Sequence, residues 1–146
     1  MNRIFVDLEM HPVAPEYVQE RTIFKFETIE VGAVMLDERY EEIASFCEYV
    51  KPLYSEVILP RYEELTGITT QMVAEADLFP QVLERFTEWC GEDYTMYSWS
   101  KADLNQIRGE CRLKGIKPDE KLTYMLRHWK DFQKEFSRLV GIHHPI

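Results

Sequence analysis

The sequence predicts an α/β domain in which a mixed sheet is flanked by helices, and three observations carry that expectation. Three β-rich segments come first, the second and third joined by the short polar run DERYE. Apolar spacing then changes from alternation to a helical period. Beyond residue 92, strand-like and helix-like segments alternate. Strands arriving as a hairpin are antiparallel and strands alternating with helices are parallel, so one sheet must hold both kinds.

The first strand is RIFVDLE (3–9), with Ile4, Val6 and Leu8 on one face and Phe5, Asp7 and Glu9 on the other. TIEVGAVML (28–36) and EIASFCEYV (42–50) supply the next two. RYEELTGITTQMVAEAD (61–77) reads as two short helical pieces, Gly67 ending the first and Thr69 or Thr70 starting the second. In FPQVLERFTEWC (79–90), Phe79, Val82, Leu83, Phe86, Trp89 and Cys90 recur at helical spacing, and Pro80 fits a first turn. DYTMYSWS (93–100) is short and aromatic-rich, hence a strand. DLNQIRGECRLKG (103–115) repeats Leu104, Ile107 and Cys111 along one side and ends on Gly115. KLTYML (121–126) is expected as the last strand. An amphipathic helix follows in WKDFQKEFSRLVG, where Trp129, Phe132, Phe136, Leu139 and Val140 share a stripe.

With 146 residues the chain has room for one core, so residues 1–146 are read as a single domain. A makeup of 45% hydrophobic and 29% charged residues fits a globular protein and excludes a disordered one. No apolar run nears the roughly 20 residues of a membrane helix. The N-terminus lacks a signal peptide's apolar core and cleavage site, so a cytoplasmic location without membrane attachment is expected. Cys47, Cys90 and Cys111 suit neither a disulfide framework nor a metal knuckle and read as buried thiols. The net charge of −9 argues against a protein that grips nucleic acid over a broad basic face. A small site where a cation screens phosphate stays compatible with it.

Two stretches concentrate chemistry. Asp7 and Glu9 project from one face of a strand, their α-carbons roughly 7 Å apart. Such like charges repel unless a cation sits between them, and oxygen-only ligands select hard divalent ions such as Mg²⁺ or Mn²⁺. The competing reading is a solvated sheet face. Asp103 opens a helix after a central-looking strand, where it either serves a site or, with Ser100 in an [ST]-x-x-[DE] pattern, favours the positive end of the helix dipole. Arg108, Arg112, Lys114 and Lys117 form a basic cluster around that helix, either a solvated face or a track for phosphate. His11 and His128 read as a loop residue and a residue near the last helix start.

Taken in order, DLE on the first strand, EVGAVML on the second, ELTGITTQMV and FPQVLERFTEW in the middle, and SWSKADLNQIRGECRLKGI resemble the DEDD (DEDDh) family of 3′-to-5′ exonucleases, in its Eri1-like and KapD-like branch. The resemblance runs from Ile4 to about Gly141. It implies a ribonuclease H-like fold with a five-stranded mixed sheet, and two-metal hydrolysis of phosphodiesters at single-stranded RNA or DNA 3′ ends, RNA favoured. Asp7, Glu9 and Asp103 match the family's metal-binding carboxylates, with Mg²⁺ or Mn²⁺ as the implied ions. Met10, where many members carry Thr, and Trp99 are the implied contacts to the terminal nucleotide, Met10 being equally readable as core filler.

The family's third motif, a histidine followed about four to five residues later by an aspartate, has no counterpart before Ile146. The sequence after Gly141 is IHHPI, and His143 and His144 lack a following carboxylate. The expectation is therefore a C-terminally incomplete domain that lacks the family's last helix, binds metal through three carboxylates rather than four, and loses the roughly 10² to 10⁴ in rate that a positioned base contributes. Uncovered sheet surface would favour a homo-oligomer or an exchanged dimer. The alternative function is a catalytically impaired module with the same fold that binds nucleic acid or protein.

Overall fold

The structure, a computed structural model, describes residues 1–140. Its elements are β1 (Asn2–Pro12), α1 (Val18–Ile23), β2 (Phe26–Leu36), β3 (Glu42–Tyr49), α2 (Pro60–Thr66), α3 (Thr70–Ala74), α4 (Phe79–Cys90), β4 (Tyr94–Ser98), α5 (Ala102–Leu113), α6 (Glu120–Arg127), β5 (Trp129–Asp131) and α7 (Phe132–Leu139). They form a five-stranded sheet in the order β3-β2-β1-β4-β5. β1, β2 and β3 pair antiparallel, whereas β4 and β5 run parallel to β1. The mixed sheet flanked by helices is thus as expected.

Alternation in β1 drives the core. Ile4, Val6 and Leu8 are buried, and α4 lays Phe79, Val82, Leu83 and Phe86 into the same cluster. Helix ends follow local chemistry. Gly67 takes the left-handed conformation (φ 77°) that closes α2, and Thr69 Oγ1 accepts the Met72 N–H at 3.2 Å to open α3.

Several expectations are corrected. Residues 121–126 are helical, not extended: Asp119 caps α6 by accepting the Leu122 N–H at 2.8 Å, and Leu122 and Met125 are buried at helical spacing. The last strand is β5, only three residues long and placed where the following helix was expected to begin. Helix α1 has no buried residue to betray it. His11 is not in a loop but near the end of β1, 2% exposed, with Nε2 accepting the Leu59 N–H at 3.0 Å. Burial pushes its pKa below the usual value. His128 caps the C-terminus of α6 and stacks on Tyr124. Cys90 and Cys111 are buried as expected, whereas Cys47 lies exposed on β3. Part of the outer sheet face is covered: α7 sets Phe132 edge-on against Phe5 and Tyr97.

Candidate active site

The site begins where two neighbouring strands part. β4 pairs with β1 only from Asn2↔Tyr94 to Phe5↔Tyr97, while β1 continues to Pro12 against β2. Past Phe5, the edge of β1 that faced β4 is open. After β4 the chain turns through Ser100, whose φ of 73° is rare for a residue with a Cβ, and α5 begins beside that open edge. Its second residue, Asp103, brings its carboxyl near the Leu8 N–H of β1, which favours the charged form. The Ser100–Asp103 capping pattern is not formed, since α5 has Lys101 at its N-cap with no side-chain cap bond, but Asp103 does stand in the first turn, at the positive end of the dipole, while its carboxyl also approaches β1. Ser100 Oγ instead accepts the Ala102 N–H at 3.2 Å.

Asp7 is exposed, Glu9 half-buried and Asp103 buried, 8% exposed. Burial first, then the Asp7 charge and more weakly that of Glu9, push the Asp103 carboxyl up to about 7 against the opposing Leu8 N–H. Glu9 is also raised, by burial, then Asp7, then Glu30, which stands directly opposite it on β2. The Asp7 charge acts on both Glu9 and Asp103, and that of Glu9 on Asp103; among the described residues none of Asp7, Glu9 and Asp103 makes an ion pair. The three predicted residues thus come together from a strand and a helix more than ninety positions apart. As the side chains stand, however, no three His, Cys, Asp or Glu among the described residues form a ready-made metal cage.

The donor set still fits a hard divalent ion. A desolvated Asp103 carboxyl that feels the like charges of Asp7 and Glu9, with no Lys or Arg ion-paired to any of the three among the described residues, is the chemistry that Mg²⁺ or Mn²⁺ relieves. Met10 does not join them: it shares the parity of Ile4, Val6 and Leu8 and packs against the main core. Trp99 is 47% exposed on the turn before α5, its ring tilted against Phe132 and Phe136. Lys114 leaves the expected basic cluster. Its ammonium is buried between Glu27 and Glu110, while Arg108, Arg112 and Lys117 are exposed. His143 and His144 lie outside the described residues.

Two residues near the site had no weight in the sequence reading. Glu30 shares its face with Glu9, which strand alternation alone could have signalled. Asp131 holds the Ser100 turn through a pairing made only by the parallel addition of β5, a contact no local pattern announces.

The chain matches the exonuclease (RNase_T) family over residues 4–144. The 3'-5' exoribonuclease 1 of mouse is 35% identical over 130 residues, covering 82% of this chain and 36% of that protein. The rat and human counterparts are 40% and 39% identical with the same coverage. The chain thus spans 36% of the length of these curated relatives. Among solved structures, the nuclease domain of 3'hExo, a DEDDh family member bound to rAMP, superposes with a TM-score of 0.79 at 24% identity, over 97% of this chain and 71% of that one. E. coli exonuclease I in complex with a dT13 oligonucleotide gives a TM-score of 0.70 at 15% identity, over 97% and 30%. Those two likenesses establish the ribonuclease H-like exonuclease fold. By sequence, the chain belongs to the exonuclease (RNase_T) family and is homologous to 3'-5' exoribonuclease 1.

Proposed function

We propose that this domain removes nucleotides from the 3′ ends of single-stranded nucleic acid, RNA in preference to DNA, using Mg²⁺ or Mn²⁺ held by Asp7, Glu9 and Asp103. The observation that carries the proposal is the approach of the buried Asp103 carboxyl to Asp7 and Glu9 at the open edge of β1. A bound pair of divalent ions supplies an activated water and charge stabilisation for the leaving 3′ oxygen. The chain's own residues do the rest. Asp7, exposed, faces incoming phosphate; Glu9 and Asp103 fix the inner side of the site. The raised Asp103 carboxyl gives up its proton when a cation takes its place. Trp99, half-exposed beside the turn, offers an aromatic face on which a terminal base stacks, an interaction worth roughly 1 to 3 kcal/mol.

A second reading, a module that binds nucleic acid ends without turnover, is favoured by one observation: no metal cage stands ready among the described residues. A 5′-labelled single-stranded RNA incubated with Mg²⁺ or Mn²⁺ separates the two. Stepwise shortening that D7A abolishes supports the exonuclease; retention of full-length RNA in a protein complex supports the module. Self-association belongs to the same proposal, with Leu139 and Val140 exposed at the end of α7, and light scattering that returns a monomer rejects it.

A further inference from the structure

The face of α5 that begins with Asp103 continues through Gln106 and Glu110 to Lys114 at the helix C-cap. Below Asp103 that face is tied to the strands that frame the site. Lys114 Nζ donates to Glu110 Oε2 at 2.7 Å and to Glu27 Oε2 at 2.8 Å, with side-chain exposures of 6% for the lysine and 0% for both glutamates. The Glu27 carboxylate also accepts the N–H groups of Leu53 and Tyr54, at 2.7 and 2.8 Å. That of Glu110 accepts the Thr28 N–H at 2.8 Å and the Gln106 amide at 3.1 Å, and the same amide donates to the Phe26 carbonyl at 3.0 Å.

These anchor points lie next to the site. Phe26, Glu27 and Thr28 pair with Pro12, His11 and Met10, the β1 residues immediately beyond Glu9. The loop after β3 returns to the same stretch, with Ser55 Oγ donating to the Pro12 carbonyl at 2.7 Å and the Ala14 N–H to the Tyr54 carbonyl at 2.9 Å. One buried ammonium therefore joins the helix that carries Asp103 to β2, the strand paired with the one that carries Asp7 and Glu9.

Stability alone is a weak reason for such a cluster. A buried ion triad seldom outperforms well-packed neutral residues of the same shape, because desolvation offsets the Coulomb attraction. Three charged hydrogen-bonding groups do specify a register that apolar contacts leave free to slide. We propose that Lys114 is a positioning residue: by clasping Glu27 and Glu110 it fixes α5 along β1 and β2, sets the separation of Asp103 from Asp7 and Glu9, and so tunes the affinity of the site for a divalent cation. This rests on the reading of those three carboxylates as metal ligands.

The test measures Mg²⁺ affinity and thermal midpoint for the wild type, D103N, K114M and the neutral triple variant E27Q/E110Q/K114M, with hydrogen exchange of the wild type at zero and saturating Mg²⁺. The triple variant keeps acceptors for the Leu53, Tyr54 and Thr28 N–H groups and removes the three buried charges of the Lys114 cluster. It is expected to retain the metal-free thermal midpoint while losing about tenfold in Mg²⁺ affinity. K114M, which strands two buried carboxylates, loses both. Coupling is reciprocal, so Mg²⁺ must slow exchange at Thr28, Leu53 and Tyr54 in the wild type. A triple variant that binds Mg²⁺ as tightly as the wild type overturns the proposal, as does exchange at those three amides that ignores bound Mg²⁺. Should the triple variant not fold, the wild-type exchange decides alone. If D103N binds Mg²⁺ like the wild type, the ligand assignment itself is what fails.

Discussion

The Asp131 carboxylate, at the end of β5, accepts the Ser100 N–H at 3.1 Å and so pins the left-handed turn from which α5 departs. The same oxygen caps α7 through the Lys134 N–H at 3.4 Å. One side chain thus ties the fifth strand to the helix that delivers Asp103. Replacing it leaves the Ser100 N–H without its partner and α7 without a cap. D131A is expected to lose about 1 to 3 kcal/mol of stability, read from urea denaturation, with D131N losing less because its amide oxygen still accepts.

Asp103 makes the metal-free protein sensitive to pH. In the folded chain its carboxyl holds a proton up to about 7, whereas in the unfolded chain it ionises near 4. Unfolding within that window releases a proton, so stability falls as pH rises from about 4 to about 7 and stays lowered above. D103N removes the penalty. Without metal it should match the wild type near pH 4 and exceed it above pH 7 by on the order of 2 to 4 kcal/mol. Added Mg²⁺ should raise the wild-type midpoint and leave that of D103N in place. Parallel pH profiles for the two proteins would contradict this.

Gly109 sits on α5 where a Cβ would collide with the Phe24 ring. The contact seats the segment between α1 and β2 on the same helix. G109A must displace the ring or tilt α5, at a cost of about 1 to 3 kcal/mol despite alanine's better helix propensity. F24A/G109A should recover part of that loss, which a thermal melt of both variants checks.

Trp99 leans on Phe132 and Phe136 yet keeps nearly half its surface open. W99A is expected to weaken single-stranded RNA binding by about five- to a hundredfold while W99F retains most of it. Fluorescence anisotropy in Ca²⁺, without turnover, measures this. A loss of thermal stability without any change in affinity would assign Trp99 to packing alone.

Much of this was legible in the chain because the relevant signals are local. Alternation in Ile4, Val6 and Leu8 exposes the strand, and its interruption by Asp7 and Glu9 on the opposite face exposes the site. The stripe of α4 is equally plain. KLTYML is not, since its apolar positions satisfy both periods, and only the Asp119 cap decides. Met10 is readable in the sequence either as a nucleotide contact or as core filler; in space it packs against the core with Ile4, Val6 and Leu8, whose parity it shares. Lys114 read as one of several surface cations; its burial depends on Glu27, a partner on another element that no helical spacing reveals. Asp103 joined Asp7 and Glu9 only through family resemblance, and the parting of β4 from β1 gives the physical reason.

Cation binding by Asp7, Glu9 and Asp103 acting together is open to direct measurement. Titrating Mn²⁺ into the wild type, D7N, E9Q and D103N, followed by electron paramagnetic resonance of free Mn²⁺, tests it in one experiment. Saturable binding by the wild type, weakened at least tenfold by each substitution, is the predicted result. Wild-type protein that leaves Mn²⁺ free, or variants that bind it unchanged, would contradict the account.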